Sequence, residues 1–469
     1  MTTRRLGLRA LTAAAALALA IPASAAAAGN PWTTPEDQFL NMAHQGGELE
    51  APGNTLYAFK TALRDRGADA VEMDSYITAD GQLVINHDLT LNGTTNFGTP
   101  SAPPPFNAPG ASARIWDYTL AELKQLDAAY WFTPGKGQYG HDDADPHPFR
   151  GVATGAVPPP TGYTANDFTI PTFEEVLAEL PPGTKINIDL KHQGVAGGTA
   201  KGIEAANALA AILAAQPGGD NENVMAASFG SDEINAFHAA LPQHDSLSGS
   251  LAATQGYVLG NPYQPFVPQI QAIQPPDKYN VGGNLIDAPE FIKAVMDSRG
   301  DDYAIHVWAA DDTTENDALY ERLVNAGVQG FFAQKPSELA TYLCANHVPD
   351  ATGTPRCGPI GQLGKLSAKG RTKAGKKAKV RGSISNGGQQ AMSGVRACVL
   401  VAKKQRKALK ARCVTVGEVG AGVSVPFTIP VQTKKKAKGA YKLAVEVSSD
   451  NGGLQTGTVK LKVKPKRRK

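Results

Sequence analysis

Acidic residues are nearly missing from one end of this chain. From Gly361 to Lys469 there are 3 Asp or Glu against 27 Lys or Arg, a net of +24. The remainder holds 19 basic and 40 acidic residues, a net of −21, and the two sum to the +3 of the 469-residue whole. One uniform surface is thereby excluded; an acidic body and a basic end should meet different partners. Cysteine is scarce, at 4. Cys344 and Cys357 bracket a short loop, and Cys398 and Cys413 flank a Lys-rich stretch patterned like a hairpin. None of the spacings is that of a zinc site, so two local disulfides in an oxidising compartment are expected, with free buried thiols as the alternative. Beyond the first residues no apolar run is long enough to span a bilayer.

The N-terminus has its own pattern. Arg4, Arg5 and Arg9 precede an apolar run from Leu11 to Ile21, and Ala23-Ser24-Ala25 follows, with further small residues to Ala28. This arrangement predicts a secretory signal over 1–28 and a secreted or cell-envelope location. The run is shorter than the ~20 residues of a membrane anchor. Export by the general or the twin-arginine route stays open.

Over 38–343, short apolar runs alternate with helical stretches. Strands are expected at 41–44, 70–77, 83–87, 185–190, 223–228, 246–251, 269–273, 303–309 and 329–333. Helices are expected at 55–66, 173–179, 199–215, 232–240, 289–298 and 314–325. Repeated strand–helix units over such a length predict an α/β TIM (β/α)8 barrel. In the first helix Leu56, Phe59 and Leu63 share a face, Asn54 can cap the start and Gly67 suits a left-handed end. Residues 88–171 are an insertion rich in Pro, Gly, Asp and His, of the kind that forms lids or binding loops, interrupted by a short helix expected at 119–126. A linker with a disulfide is expected over 344–365. Period-2 runs with Gly and Asn turns then predict a basic all-β, immunoglobulin-like sandwich over 366–463, ending in a basic tail, 464–469.

Four clusters carry chemistry: His44-Gln45-Gly46-Gly47, Glu72-Met73-Asp74, His87-Asp88 and Asn187-Ile188-Asp189-Leu190-Lys191. Residues two apart in a strand share a face, so Glu72 and Asp74 point one way and Asn187, Asp189 and Lys191 do likewise. A strand of a parallel barrel is buried on both faces and should be apolar on both. Two strands breaking that rule together mark the barrel's catalytic end. Three converging carboxylates repel unless a cation joins them, and oxygen donors select a hard ion. Glu72, Asp74 and Asp189 are therefore the candidate ligands of one divalent cation, Ca2+ or Mg2+. His44 and His87 can exchange protons with the two bridging oxygens of a phosphodiester. Lys191 can neutralise phosphate charge as it builds. The plain alternatives are surface carboxylates, structural histidines and a surface ion pair.

These residues resemble the glycerophosphodiester phosphodiesterase family, whose motifs read H-R-G, P-E-N-T, E-x-D, H-D and E-x-K in that order. Ile170-Pro171-Thr172-Phe173-Glu174-Glu175 and Val307-Trp308 match as well, and the resemblance spans 40–343. It implies a TIM barrel with one divalent ion held at Glu72, Asp74 and Asp189. It also implies catalytic roles for His44 and His87, phosphate contact at Lys191, and Trp308 as a pocket wall. In such enzymes a substrate hydroxyl attacks phosphorus, giving a cyclic phosphate that water opens to an alcohol and glycerol 3-phosphate. Which imidazole is acid and which base is open. The departures are Gln45 for the Arg, Gly53 for the Glu of P-E-N-T, Asp189 for the Glu of E-x-K, and Gln334 where Asp is common. Gln45 is expected to keep the substrate-binding place of that Arg beside Lys191 and Trp308, but without its bidentate phosphate grip, which would change substrate preference.

Two alternatives remain: a sphingomyelinase D-like or phosphatidylinositol phospholipase C-like phosphodiesterase, and a non-catalytic cell-envelope binding protein. The basic module is expected to attract anionic wall polymers such as teichoic acids, through forces that weaken with salt. No motif points to specific nucleic acid binding.

Overall fold

A computed structural model describes residues 30–465 except 36, 140–141, 260–265, 282, 311–312, 360, 369–370, 389 and 452. The expected signal over 1–28 and most of the expected basic tail lie outside the described residues.

The first part contains strands β1 (Leu40–Ala43), β2 (Ala70–Ile77), β3 (Leu83–Ile85), β4 (Lys185–Leu190), β5 (Val224–Ala227), β6 (Ala272–Ile273), β7 (Lys278–Val281), β8 (Asn284–Asp287), β9 (Ala304–Trp308) and β10 (Gly330–Ala333). The parallel order β5-β4-β2-β1-β10-β9-β6 is closed into a ring by residues 247–248, which bridge in parallel to Ala226 on one side and Ala272 on the other. Eight parallel segments thus form a TIM-type barrel. The expected strand 246–251 is this two-residue contact, because the chain turns into a helix at Leu251. The expected strand 83–87 is β3, and it pairs antiparallel with β2 outside the ring. Helices α1 (Leu56–Asp65), α2 (Leu120–Leu123), α3 (Phe173–Glu179), α4 (Gly198–Ala214), α5 (Ser231–Ala240), α6 (Leu251–Leu259), α7 (Ala288–Arg299), α8 (Asp317–Asn325) and α9 (Pro336–Ala345) accompany the ring.

Strand alternation divides the barrel's chemistry. Val71, Met73, Ile186, Ile188 and Leu190 enter the main apolar core, together with Leu56, Phe59, Phe173 and Leu209 from the helices. The alternate residues of β2 and β4 turn inward. The cap of α1 differs from the expectation: Thr55 caps it, its hydroxyl accepting from Ala58 N at 3.1 Å. Asn54, in the left-handed region at φ 57°, is engaged by β2 instead.

The insertion 88–171 is not an open loop. Phe106, Ile115, Trp116, Tyr118 and Leu126 bury an apolar cluster against Tyr76 and Val84, and Val152 and Phe168 form a second one with Ala129. After α9, Cys344 and Cys357 are bonded. Arg356 then clamps Asp69 with two nitrogens at 2.9 and 2.6 Å, tying this segment to the start of β2.

Residues 361–464 form two five-stranded sheets around one apolar cluster that includes Val380, Ile429, Val445 and Leu461. Cys398 and Cys413 are bonded across neighbouring strands. Among the described residues no helix is long and apolar enough to cross a membrane.

Candidate active site

β1 ends at Ala43, and His44 opens a single tight turn, His44–Gly46. Gly46 has φ 80°, and a Cβ there would meet the Ala58 Cβ at 2.7 Å, so the turn packs against α1 only because this residue is glycine. β2 and β4 run parallel with Glu72 beside Asn187 and Asp74 beside Asp189. The turn, the two strands and the segment after β3 thereby bring His44, Glu72, Asp74, His87, Asp189 and Lys191 to one cavity of about 390 Å3. Trp308 lines it too, its ring held by an indole N–H donating to Gln274 O at 3.1 Å.

Gln45, expected as a substrate contact, does not line the cavity among the described residues. Its backbone N–H donates to Glu72 Oε2 at 2.7 Å, and its side-chain oxygen accepts from Tyr139 OH at 3.3 Å. A left-handed backbone at φ 49° turns the side chain aside. Lys191 is the only lysine or arginine lining the cavity among the described residues.

Both imidazoles are anchored the same way. His44 Nδ1 lies 2.6 Å from Glu48 Oε1, and His87 Nδ1 lies 2.7 Å from Asp88 Oδ1. A nitrogen facing a carboxylate carries the proton, which leaves each Nε2 for the cavity side. Burial alone would lower the His44 pKa, but Glu48 and then Glu72 outweigh it and hold it at about 10. Glu48 was not foreseen, although its i+4 spacing from His44 was a usable signal. A Cβ at position 53 would meet Gln45 Oε1 at 2.9 Å and Glu48 Cβ at 3.0 Å. Gly53, in place of the motif's Glu, leaves the room that Glu48 fills. Asn187 lines the cavity from the face of β4 that alternation turned inward, while Phe229, Gln274 and Tyr279 line it unforeseen, because no local motif marks them.

The acids are held under tension. Lys191 Nζ sits 2.7 Å from Asp74 Oδ1 and 3.1 Å from Asp189 Oδ2. Asn54 donates to Asp74 Oδ2 at 2.7 Å. Burial and then Asp74 push the Glu72 carboxyl up to about 8. Burial works against Asp74 as well, but Lys191 and the imidazoles hold it at about 2. Burial raises Asp189. Three buried carboxylates, two of them raised by burial and the third answered by Lys191 and the imidazoles, suit a hard divalent cation, as does their all-oxygen donor set. Lys191 stands between Asp74 and Asp189 as counter-charge. The three carboxylates do not form a group with all donor atoms within 4.8 Å of one another.

Asp220, Glu222 and His244 do meet that spacing, next to the start of β5 and so away from the cavity. His244 is satisfied there at both nitrogens, by Asp220 Oδ1 at 2.6 Å and Val224 O at 2.9 Å. Sequence reasoning did not single out this cluster, since its members are scattered through loops.

A family model described as the glycerophosphoryl diester phosphodiesterase family matches residues 44–338. The chain belongs to this family. Glycerophosphodiester phosphodiesterase of Bacillus subtilis is 35% identical over 111 residues, 24% of this chain and 32% of that protein. That of Bacillus altitudinis is 33% identical over 153 residues, 32% of this chain and 44% of that protein. The chain thus spans under half the length of these curated relatives. An Oleispira antarctica phosphodiesterase solved in complex with the product sn-glycerol-3-phosphate is 19% identical. That comparison covers 66% of this chain and 97% of the other, at a TM-score of 0.43. Membership of the glycerophosphodiester phosphodiesterase family accounts for the order of motifs from His44 to Lys191. The basic module lies beyond the matched residues.

Proposed function

We propose that this protein is a metal-dependent phosphodiesterase that hydrolyses glycerophosphodiesters to an alcohol and glycerol 3-phosphate. The observation that carries this reading is the meeting of two carboxylate-anchored imidazoles with Glu72, Asp74, Asp189 and Lys191 in one cavity. Glu72, Asp74 and Asp189 would hold one divalent cation, Ca2+ or Mg2+, which when bound neutralises charge on the diester oxygens. His44, kept protonated by Glu48, gives a proton to the leaving alcohol oxygen. His87, steadied by Asp88, takes a proton from the attacking substrate hydroxyl. Water then opens the cyclic phosphate, losing its proton to His44 while His87 returns one to the ring oxygen that leaves. Lys191 balances negative charge on phosphorus oxygens in the transition state. Phe229 and Trp308, with ring centroids 5.9 Å apart, wall one side of the cavity.

Phosphorus NMR of products from a panel of glycerophosphodiesters and sphingomyelin, with and without chelator and beside His44→Ala, tests the proposal. Chelator-sensitive release of glycerol 3-phosphate supports it. Turnover of sphingomyelin alone points to the sphingomyelinase D-like alternative, and no turnover at all to a binding protein. We also propose export of the chain, on the signal-like pattern of residues 1–28. The C-terminal module reads as an immunoglobulin-like sandwich, because strands 377–386 and 424–433 pair in one sheet and 392–400, 439–448 and 454–464 in the other. Its charge suits it to hold the enzyme on anionic envelope polymers.

A further inference from the structure

We propose that a cleft lined by Lys403, Arg406, Lys410, Lys434 and Lys442 binds a base-free phosphodiester polyanion of the poly(glycerol phosphate) type. This inference rests on the reading of the barrel as a glycerophosphodiester hydrolase, and it makes the polymer both tether and substrate class.

The cleft is built from 399–411, from Lys434 and from the strand carrying Lys442 and Ala444. Val399, Leu400 and Leu409 are its apolar part, and no acidic residue lines it among the described residues. Its frame is fixed. Cys398 and Cys413 bond across the base of the lining segment. Gln405 Nε2 donates to Lys442 O at 3.2 Å, and Lys434 Nζ to Arg406 O at 2.9 Å. The ammonium groups of Lys403, Lys410 and Lys442 have no hydrogen-bond or ion-pair partner among the described residues. The whole module is alike in this: every ion pair among the described residues joins positions at or before Arg356.

Positive charge also continues beside the cleft. Lys442 lies directly opposite Lys460, with Lys462 and Lys464 exposed further along the same strand. Like charges in direct cross-strand register oppose folding. Packing gives no reason to place them there; a line of phosphates does, since each neutralised phosphate also releases counterions.

The class of polyanion follows from what surrounds the charges. Between 361 and 469 there are only two aromatic residues. Phe427 is buried, and Tyr441 OH is tied to the Lys438 backbone. No stacking platform for bases is present among the described residues of the module, and single-stranded nucleic acids are gripped through one. The cations are mostly lysine, 20 against 7 arginine, which act as point charges rather than as forks for base edges. A flexible backbone of glycerol and phosphate needs charge without stacking. The barrel, at −21 over residues 1–360, repels such a polymer, and the module supplies the offsetting attraction.

The test uses the full chain with chelator present, so that binding is read without turnover. Soluble poly(glycerol phosphate), single- and double-stranded DNA of equal phosphate content, and a neutral glycan are titrated at several salt concentrations. The chain is expected to bind the polymer more tightly than either DNA and to ignore the neutral glycan. The variant Lys403→Gln/Lys410→Gln/Lys442→Gln, with its melting temperature checked, should weaken polymer binding about 10-fold or more and lower the salt slope by about 2. A control that removes equal charge elsewhere, Lys365→Gln/Arg381→Gln/Arg396→Gln, should cost clearly less. DNA binding as tight as polymer binding would overturn the proposal, as would an equal loss in both variants or no polymer binding. Retained polymer binding in a chain that hydrolyses no glycerophosphodiester would sink the proposed function and leave the cleft standing.

Discussion

The two halves of this chain use charge in opposite ways. In the barrel, charge is buried and answered: Lys191 between Asp74 and Asp189, Glu48 behind His44, Arg356 across Asp69. Burial makes each interaction strong and fixes its direction, which catalysis requires. In the β module, lysines stand on the outer faces of two sheets whose inner faces are mainly apolar, with Asn386 and Thr433 buried at their ends. Exposed charges of one sign contribute little to folding and much to attraction over about a Debye length, roughly 8–10 Å. The lesson is that charge count alone does not distinguish a site from a tether; burial and pairing do.

That contrast can be broken at several points. The largest effect is expected from His44→Ala, which should lower kcat on a small glycerophosphodiester about 10²–10⁴-fold while retention on polyanion is unchanged. A residual kcat within a few-fold of the parent would remove the imidazole pair from the mechanism. Chelation should likewise abolish turnover, with recovery on adding Ca2+ or Mg2+, and should spare polymer binding. Recovery with neither ion would contradict the ligand set at Glu72, Asp74 and Asp189.

Glu48→Gln keeps the size of the group behind His44 and removes its charge. The expected outcome is a fall in kcat of about 10-fold with KM little changed, as for a residue acting through another. A change in KM alone would make Glu48 a substrate contact instead.

On the module side, Cys398→Ser/Cys413→Ser should cost about 3 kcal/mol in denaturant unfolding of the sheets, the loop-closure value for a separation of this size. Hydrolysis of a small diester should not change. Loss of activity in that variant would mean that the two halves depend on each other.

The smallest effect concerns pH. His306 is fully buried, and burial lowers its pKa from 6.5 to about 4. Between those values the unfolded chain binds more protons than the folded one, so stability falls as pH drops from about 6.5 towards 4. The slope is at most about 1.4 kcal/mol per pH unit. His306→Asn should flatten that part of the stability curve of the barrel. An unchanged slope would refute the assignment.

Much of this arrangement was legible in the chain itself. Ala70–Ile77 and Lys185–Leu190 are strands over the residues that alternation marks, since buried barrel strands leave little freedom of reading. α3 begins after Thr172, whose capping box with Glu175 is visible in the sequence. Other elements gave weak local signals. α6 is apolar on nearly every side and has no helical period to read. The hairpin of β7 and β8 is short and sits in a Pro-rich stretch. The insertion 88–171 reads as loop because its clusters join residues far apart, such as Tyr76 with Trp116, and its helices are of four residues or fewer.

The amino-acid order by itself determined that Glu72 and Asp74 share a face, that Asp189 and Lys191 share another, and that an acidic half precedes a basic one. Periodicity and composition are local properties, and a linear chain displays them directly. Only the tertiary structure decided that Lys191 stands between the two aspartates, that Glu48 occupies the space left by Gly53, and that Gln45 turns its side chain away from the cavity. It likewise decided that lysines from three separate segments gather at one cleft. Those outcomes depend on strand register and on the volume available between segments, and neither exists until the chain has closed on itself.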